Sequence, residues 1–315
     1  MRKHRVVRTG VAVVAGISIG LTASAIPALA GSSVPASYHF RTLNDAFDGT
    51  FNELFGINDH KKIVGYYGSG VHGDPNRGYT IVPPYHQSSY QSVSVAGSAQ
   101  TQVAGVNDKG ILVGLFSRTN RPSDVNGYTG FYLRNGVAHK VTYPTGNNSN
   151  PPYNELLGIN NAGVAVGDFE DASGNMHGYR FNINTHKFTK ITIGRIGSLT
   201  ATAINGAGTV VGYYTNGSGR ILSFLRRADG RVVTIAKSGA GVTQAFGINK
   251  RGVVVGDYTI DGSSHGFVWL AGKFHTVNEP QGAGGTVISG INNAGDIVGF
   301  YTDSRGNTDG FLATP

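Results

Sequence analysis

The sequence predicts an all-β fold, a six-bladed β-propeller whose blades each contain four strands. One phrase, Gly-Ile-Asn-x-x-Gly-x-x-Val-Gly-x-Tyr at Gly290–Tyr301, occurs in six related copies along the chain. The Asn residues of successive copies are 49, 53, 45, 44 and 43 residues apart, and a period in the forties with only β signals is typical of propeller blades. The composition agrees, because 48 Gly and only 14 % charged residues fit short strands joined by tight turns.

Residues 1–30 have the features of a secretory signal peptide. Four basic residues lie within the first eight positions, an apolar run extends to about Ile26, and Ala28-Leu29-Ala30 supplies the small residues of a cleavage site. No later stretch approaches the roughly 20 apolar residues of a membrane span. The chain has no cysteine, so neither a disulfide nor a lipoprotein anchor is expected. We predict a secreted, extracellular protein with a linker at residues 31–37 and a single propeller domain at residues 38–315.

Each copy of the repeat predicts four strands in the same order. The first strand ends at Gly-Ile-Asn, the second contains Ile-Val-Gly-x-aromatic, the third begins near Gly-Phe or Gly-Tyr, and the fourth is an alternating run such as Lys187–Ile193. The asparagines that end the first strands are Asn58, Asn107, Asn160, Asn205, Asn249 and Asn292.

The two ends of the chain complement each other. The sixth copy stops at Phe311–Pro315, after its third strand, whereas Phe40–Ala46 resembles the fourth-strand segment Phe274–Pro280. An N-terminal strand at about residues 38–45 is therefore expected to complete the C-terminal blade. A ring closed in this way leaves no unpaired terminal edge.

The combined phrase, followed by His-Gly-aromatic at His177-Gly178-Tyr179 and His265-Gly266-Phe267, resembles the HAF-type extracellular repeat family. The resemblance covers almost all of the chain after the signal peptide. It implies a secreted bacterial repeat protein and brings no established reaction. The histidine itself is replaced in the other four copies, so a repeated histidine ligand is not expected.

The repeated residues are expected to serve the fold. Asn followed three positions later by Gly favours a tight hairpin turn, because Asn bonds its own backbone and Gly adopts positive φ; a ring of ligand-binding asparagines is the alternative. The Gly in the middle of each second strand predicts close approach of another backbone. The aromatic residue two positions later is expected to pack between blades, with glycan stacking as the alternative.

The loops between second and third strands differ from copy to copy, and binding residues concentrate on such loops. They carry the candidate ligand-binding residues His177, His265, Asp303 and Asp309. The segments Asp171–Asn175 and Asp303–Asn307 have oxygen ligands at short spacing, which could indicate calcium, although Asx-Gly turns give the same pattern. No other cofactor or metal is predicted.

A further set of polar residues lies at one position of the first strands, three residues before the Gly of Gly-Ile-Asn. The set is Glu53, Gln102, Glu155, Thr200, Gln244 and Val287. Glutamates and glutamines there could converge at the mouth of a central channel. Asp168 and Asp257, each following the second-strand Gly, form another carboxylate pair. These four carboxylates are candidate catalytic residues, since paired carboxylates perform general acid and base catalysis, and Gln102 and Gln244 are further candidate ligand-binding residues. Solvated channel lining is the preferred interpretation of these residues, and catalysis is the alternative.

Charge and motifs exclude several functions. Four of the 26 Lys and Arg lie in residues 1–30 and none of the 18 acidic residues do, so residues 31–315 carry a net charge of only +4. The basic residues are scattered apart from Arg226-Arg227, so nucleic-acid binding is not predicted. Nucleophile-elbow, zinc-helix and phosphate-loop motifs are absent.

The sequence favours a non-enzymatic, monomeric scaffold that presents its variable loops to an extracellular protein or polysaccharide. One alternative is a glycan-active hydrolase or lyase with its carboxylates at the channel mouth. Another is a purely structural surface repeat.

Overall fold

A computed structural model describes residues 34–35, 37–71, 73–119, 127–144, 153–194 and 196–315. The predicted signal peptide, part of the linker, and much of the predicted loops at 117–127 and 144–152 lie outside these residues. Within them the regular structure is 24 β-strands and one short 3₁₀ helix, Gln87–Ser89. The all-β prediction is confirmed. The described residues contain no helix with the length and apolar character needed to span a membrane.

The strands form four-stranded antiparallel groups, which we call units. Three units are separate sheets, and the other three are joined in one 12-stranded sheet. Unit one contains β2 (Asn52–Ile57), β3 (Ile63–Tyr67), β4 (Arg77–Ile81) and β5 (Gln91–Val93). Unit two contains β6 (Gln100–Val106), β7 (Leu112–Ser117), β8 (Thr129–Arg134) and β9 (Val137–Val141). Unit three contains β10 (Asn154–Ile159), β11 (Val164–Glu170), β12 (Met176–Asn182) and β13 (Lys187–Lys190).

The remaining strands form the 12-stranded sheet. Unit four contains β14 (Leu199–Ile204), β15 (Val210–Thr215), β16 (Ile221–Arg226) and β17 (Val232–Ile235). Unit five contains β18 (Val242–Ile248), β19 (Val254–Ile260), β20 (Ser263–Leu270) and β21 (Lys273–Thr276). Unit six contains β22 (Gly285–Ile291), β23 (Ile297–Thr302) and β24 (Thr308–Thr314), together with β1 (His39–Thr42).

The fourth strand of unit six comes from the N-terminal end of the chain. β1 pairs antiparallel with β24, with Phe40 opposite Ala313. The Phe40 ring lies 5.5 Å from the Phe311 ring. The likeness between Phe40–Ala46 and Phe274–Pro280 predicts that this segment pairs with the last strand of the chain. Its pairing covers an edge of β24 that would otherwise have no partner strand.

The core is built from one aromatic residue on each third strand. These residues are at most 1 % exposed, and burying each is worth about 1.5–3 kcal/mol. They are Tyr79, Phe131, Tyr179, Phe224, Phe267 and Phe311. The second-strand aromatics pack across unit boundaries: Phe169 of unit three joins a cluster with Ile111 and Val113 of unit two, and it stacks on Tyr143 at 4.0 Å.

Every first strand contains a bulge that explains the second-strand glycine. The pairing of first and second strands shifts by one residue in all six units, between Leu156 and Gly158 in unit three. A Cβ added at Gly167 would overlap the carbonyl oxygen of Glu155, and the equivalent glycine meets the equivalent carbonyl in each other unit. The approaching backbone is therefore the unit's own first strand.

The repeated asparagines have two roles at once. The Oδ1 atom of Asn107 accepts the N–H groups of Lys109 and Ile111 at 3.1 and 3.0 Å, which forms the expected turn. Its Nδ2 donates to the backbone oxygen of Asn160 in the next unit at 3.0 Å. The same donation links successive asparagines at 3.0–3.2 Å from Asn58 to Asn292, and Asn292 donates to the Asn58 oxygen at 3.4 Å. We call this set the asparagine belt.

Candidate functional site

The polar first-strand residues lie opposite the residues that follow the second-strand glycines. We call these six cross-strand pairs the inner ring. They are Glu53 with Tyr66, Gln102 with Leu115, Glu155 with Asp168, Thr200 with Tyr213, Gln244 with Asp257, and Val287 with Phe300. The ring lies toward the end of each unit where the second strand passes into the variable loop; Asp168, for example, is two residues from the end of β11.

The pattern of exposure shows which side of the first strands is open. Gln102, Glu155, Gln244 and Val287 are partly exposed, whereas the residue after each of them is fully buried. These four first-strand side chains therefore face a space that solvent reaches, whereas Glu53 and Thr200 at the same position are buried.

Glu155 and Asp168 form a carboxyl pair, directly opposite each other on β10 and β11. Burial raises the pKa of Glu155, and the neighbouring Asp168 side chain opposes that rise. Burial and the Glu155 charge raise the pKa of Asp168 well above its usual range. Both carboxyls are therefore harder to ionise than an ordinary Asp or Glu, because burial and an adjacent carboxylate disfavour their charged forms.

Neighbouring hydroxyl groups each bind one oxygen of this pair. Tyr153 donates its hydroxyl proton to Glu155 Oε2 at 3.0 Å, and Thr200 of unit four donates to Asp168 Oδ2 at 2.6 Å. The pair therefore lies at the boundary between units three and four and is fixed from both sides.

The other two candidate carboxyls are each held in a separate position. Glu53 accepts a 2.5 Å hydrogen bond from Tyr66, and burial raises its pKa to about 7. Burial likewise raises the pKa of Asp257 to about 7, against the lowering effect of a hydrogen bond with Ser264. Near neutral pH both groups carry a proton for a substantial part of the time.

Tyrosines connect these carboxyls around the ring. Tyr128 of unit two contacts Tyr153 of unit three edge to face, with ring centroids 6.0 Å apart. After burial, the nearby Glu155 charge contributes to the raised pKa of Tyr128. Burial and then the charges of Asp168 and Glu155 raise the pKa of Tyr213, and Asp257 contributes in the same direction. The carboxyls of units three to five are therefore close enough to act on shared tyrosines.

The bulge residues lie next to the inner ring along each first strand, and several are large and apolar. Phe55, Leu157 and Phe246 are partly exposed. The Phe55 ring lies 5.6 Å from Tyr66 and 6.2 Å from Phe300, and Phe246 lies 6.1 Å from Tyr213. In units four and six the bulge residue is a hydroxyl that bonds the next unit: Thr202 donates to the Ala245 oxygen at 2.8 Å. Aromatic surface thus adjoins the polar groups of the inner ring.

The candidate loop residues are not part of the inner ring, and each has a local partner. His177 Nε2 lies 2.6 Å from Asp171 Oδ2, and His265 Nδ1 lies 3.2 Å from the Asn278 amide nitrogen. Asp309 Oδ1 accepts from Asn44 at 2.5 Å. A cleft of about 270 Å³ adjoins His177 and is lined chiefly by apolar residues such as Ile191 and Leu199.

The two segments considered for calcium adopt Asx turns. Asp303 Oδ1 accepts the N–H groups of Arg305 and Asn307 at 2.7 and 2.9 Å, and its Oδ2 accepts from the same two side chains. Asp171 Oδ1 likewise accepts from Ser173 and Asn175. Across the described ranges, no three His, Asp or Glu side chains are grouped as a metal site would require.

The sequence pattern contained a signal for the carboxyl pair that was not used. Each inner-ring pair is separated by 13 residues, as in Glu155 and Asp168 or Gln244 and Asp257. Once the hairpin turn and the bulge are known, that spacing places the two residues opposite each other. The contacts of Tyr128, Tyr153 and Tyr213 join different units, so the spacing of the repeats does not predict them.

No protein-family model and no curated protein matches the chain. Similarity is found to solved structures. The β-propeller domain of the Trilobed protease from Pyrococcus furiosus has a TM-score of 0.50 at 10 % identity, covering 83 % of this chain and 95 % of that one. A luciferin-regenerating enzyme gives 0.54 at 12 % identity, covering 89 % and 96 %. TolB from Acinetobacter baumannii gives 0.54 at 12 % identity, covering 81 % of this chain and 64 % of that one.

At these identities the likeness concerns the fold alone. The chain spans about two thirds of the TolB chain. Together with the four-stranded units, the similar structures support a β-propeller fold for this chain.

Proposed function

We propose that the six units form a closed six-bladed propeller. Contacts between unit six and unit one support this arrangement. Phe51 and Thr308 form a parallel bridge, like the parallel pairs that join units four, five and six. Ser289 donates its hydroxyl proton to the Leu54 oxygen across the same boundary.

An ion pair peculiar to this boundary supports the closed ring further. Lys61 replaces the turn glycine of the other copies and has a φ of 59°. Its Nζ lies 3.3 Å from Asp296 of unit six. The buried Asp296 carboxylate also accepts from Asn292 at 3.0 Å. Two residues that depart from the repeat thus contact each other where the first and last units meet.

We propose that the protein is a non-catalytic binding scaffold. The observation that carries this proposal is that Glu155 and Asp168 lie directly opposite each other on adjacent strands, where Tyr153 is bound to the first and Thr200 to the second. Glycoside hydrolysis needs two carboxyls about 5 Å apart for retention or roughly 6.5–9.5 Å apart for inversion, with the sugar between them. Residues opposite each other in an antiparallel pair have Cβ atoms about 4.5–5.5 Å apart, so the two carboxyls lie side by side on one face of the sheet and do not flank a sugar.

The alternative, a glycan-active hydrolase or lyase, draws on one specific observation. Glu53 and Asp257 have pKa values raised to about 7, and general acids and bases work best near the operating pH. Each carboxyl is bound to a residue of its own unit, however, and no second carboxyl is seen against either one among the described residues. The binding function is therefore preferred, as it is over a purely structural surface repeat, which needs no open polar ring.

The test combines binding and turnover on the same protein. We expect the purified protein to bind at least one component of a panel of extracellular polysaccharides and proteins, measured on arrays and by calorimetry. Incubation with the same polysaccharides should release no oligosaccharide detectable by chromatography. Product release that is lost in Glu53→Gln or Asp257→Asn would replace this proposal with the enzymatic alternative.

We propose further that residues 1–30 direct export and that the scaffold acts outside the cell, as the resemblance to HAF-type repeats implies. The basic start, apolar run and Ala28-Leu29-Ala30 support this. N-terminal sequencing of protein recovered from the growth medium should begin at Gly31. Retention of the complete chain in the cells would contradict it.

A further inference from the structure

We propose that the inner ring binds a neutral, hydroxyl-rich ligand, a saccharide without acidic groups, between its amides, its carboxyl groups and the neighbouring aromatic rings. This inference rests on the proposed binding function and names the site and the class of ligand. It differs from binding by the variable loops, because the residues concerned lie on the first and second strands.

The first argument is that the inner ring has unused hydrogen-bonding groups on its open side. Gln102 and Gln244 are partly exposed, and within the described part of the chain no hydrogen bond to either side-chain amide is present. Each amide offers two donor hydrogens and one acceptor oxygen. Glu155, on the first strand between these two units in the sequence, is also partly exposed.

The second argument concerns charge. Glu155 lies opposite Asp168 and Glu53 is bound by Tyr66, while the remaining first-strand members, Thr200 and Val287, are uncharged. The inner ring contains four carboxyls and no Lys or Arg. An anionic ligand would meet carboxyls with no opposing cation. A cation would require these carboxyls to ionise, which their burial disfavours. A neutral ligand avoids both penalties.

The third argument is the adjacent aromatic surface. Phe55 and Phe246 are partly exposed beside the ring tyrosines, with Phe55 5.6 Å from Tyr66 and Phe246 6.1 Å from Tyr213. Small-molecule sites combine largely apolar and aromatic walls with a few placed polar groups. A sugar presents hydroxyls at its edge and C–H groups on its face, so it can meet amides and aromatic rings at the same time.

Polar side chains are distributed unevenly around the inner ring. Units one to five supply at least one polar side chain, whereas unit six supplies only Val287 and Phe300. A ligand bound by hydrogen bonds is therefore placed toward units two to five, on the side opposite the apolar pair. The carboxyl pair at the unit three to four boundary lies in the middle of that arc.

The experiment uses the full chain and two single variants, Gln102→Ala and Gln244→Ala. The probes are neutral oligosaccharides and a matched set containing uronic acids, measured by calorimetry. Each lost hydrogen bond is expected to weaken neutral-sugar binding about 2- to 10-fold. The control is Gln91→Ala, the same change at an exposed position on the outer strand β5, which should leave the affinity unchanged. Circular dichroism and melting temperature verify that all three variants fold.

The possible outcomes distinguish a failure of the proposed binding site from a failure of the proposed binding function. Binding that favours neutral sugars and weakens in both ring variants but not in the control supports the inference. Binding that is equal in all variants, a preference for the acidic sugars, or binding to a protein and to no sugar overturns the inference and leaves the scaffold function in place. Cleavage of the sugars overturns the proposed function itself.

Discussion

The raised carboxyl pKa values predict that the protein loses stability as the pH rises from about 4.5 to 8. Glu53 has a pKa of about 7 in the folded chain against a reference value of 4.5. Between these values the folded state holds a proton that the unfolded state releases, so increasing pH favours unfolding. The stabilisation is complete below about pH 4.5 and is lost as the pH passes 7. A difference of this size corresponds to about 3 kcal/mol at 1.36 kcal/mol per pKa unit.

The substitution Glu53→Gln isolates this contribution. The amide oxygen can still accept the hydroxyl proton of Tyr66, but the side chain no longer ionises. We expect the difference in unfolding free energy between variant and wild type to shift by about 3 kcal/mol in favour of the variant between pH 4.5 and pH 8. Asp257 and the Glu155–Asp168 pair lower the stability of both proteins in the same direction, so their contribution cancels in the difference.

Urea denaturation at four pH values, followed by fluorescence and circular dichroism, measures this difference. Glu170→Gln, at a partly exposed position at the end of β11, serves as the matched control and should shift much less. A difference between Glu53→Gln and wild type that is constant within about 0.5 kcal/mol over this range would refute the assigned pKa and the burial that causes it.

Three further predictions test the fold. Gly167→Ala should lower the unfolding free energy by about 2–4 kcal/mol, because the new Cβ overlaps a first-strand carbonyl. The control Gly206→Ala, with nothing within 4 Å of the new Cβ, should lower it by less than about 1 kcal/mol. Equal losses of unfolding free energy in urea titrations would contradict the close approach at Gly167. Asn205→Asp keeps the oxygen that accepts in the turn but loses the hydrogen bond donated to the next unit. Its melting temperature should therefore fall more than that of Asn216→Asp, a change in an exposed turn outside the asparagine belt. A larger fall in Asn216→Asp would contradict a stabilising role of the asparagine belt. Deletion of residues 34–42 should expose the edge of β24 and cause self-association in light scattering, and a monomer with unchanged melting temperature would show that β1 is dispensable.

The repeated phrase predicts the strands because each of its residues acts within one unit. Asn107 forms its turn with residues two and four positions away, and such local chemistry can be recognised in a sequence. The spacing of the copies then gives the order of the strands, and the match between Phe40–Ala46 and Phe274–Pro280 gives the partner of the N-terminal strand. The prediction of close backbone approach at Gly167 follows from residue type alone, although the sequence does not say which backbone approaches.

Contacts between units are harder to predict from the sequence. The hydrogen bond from Asn107 to the Asn160 oxygen joins residues 53 positions apart. It depends on how two units pack against each other, which the repeated phrase does not predict. The pairing of Lys61 with Asp296 spans nearly the whole chain. Both residues differ from the repeat consensus at their positions, so a comparison of deviations between copies could have indicated their contact.

The bulge links the constant and the variable parts of each unit. By displacing one residue of the first strand, it brings the carbonyl before the bulge onto the second-strand glycine, and a larger residue would not fit there. The residue after that glycine is then held directly opposite the first-strand side chain of the inner ring. Backbone geometry thus fixes the position of each pair without restricting its side chains, which is why Glu155 with Asp168 and Val287 with Phe300 can occupy equivalent places. A scaffold built from identical turns can therefore carry an inner ring that differs in every unit.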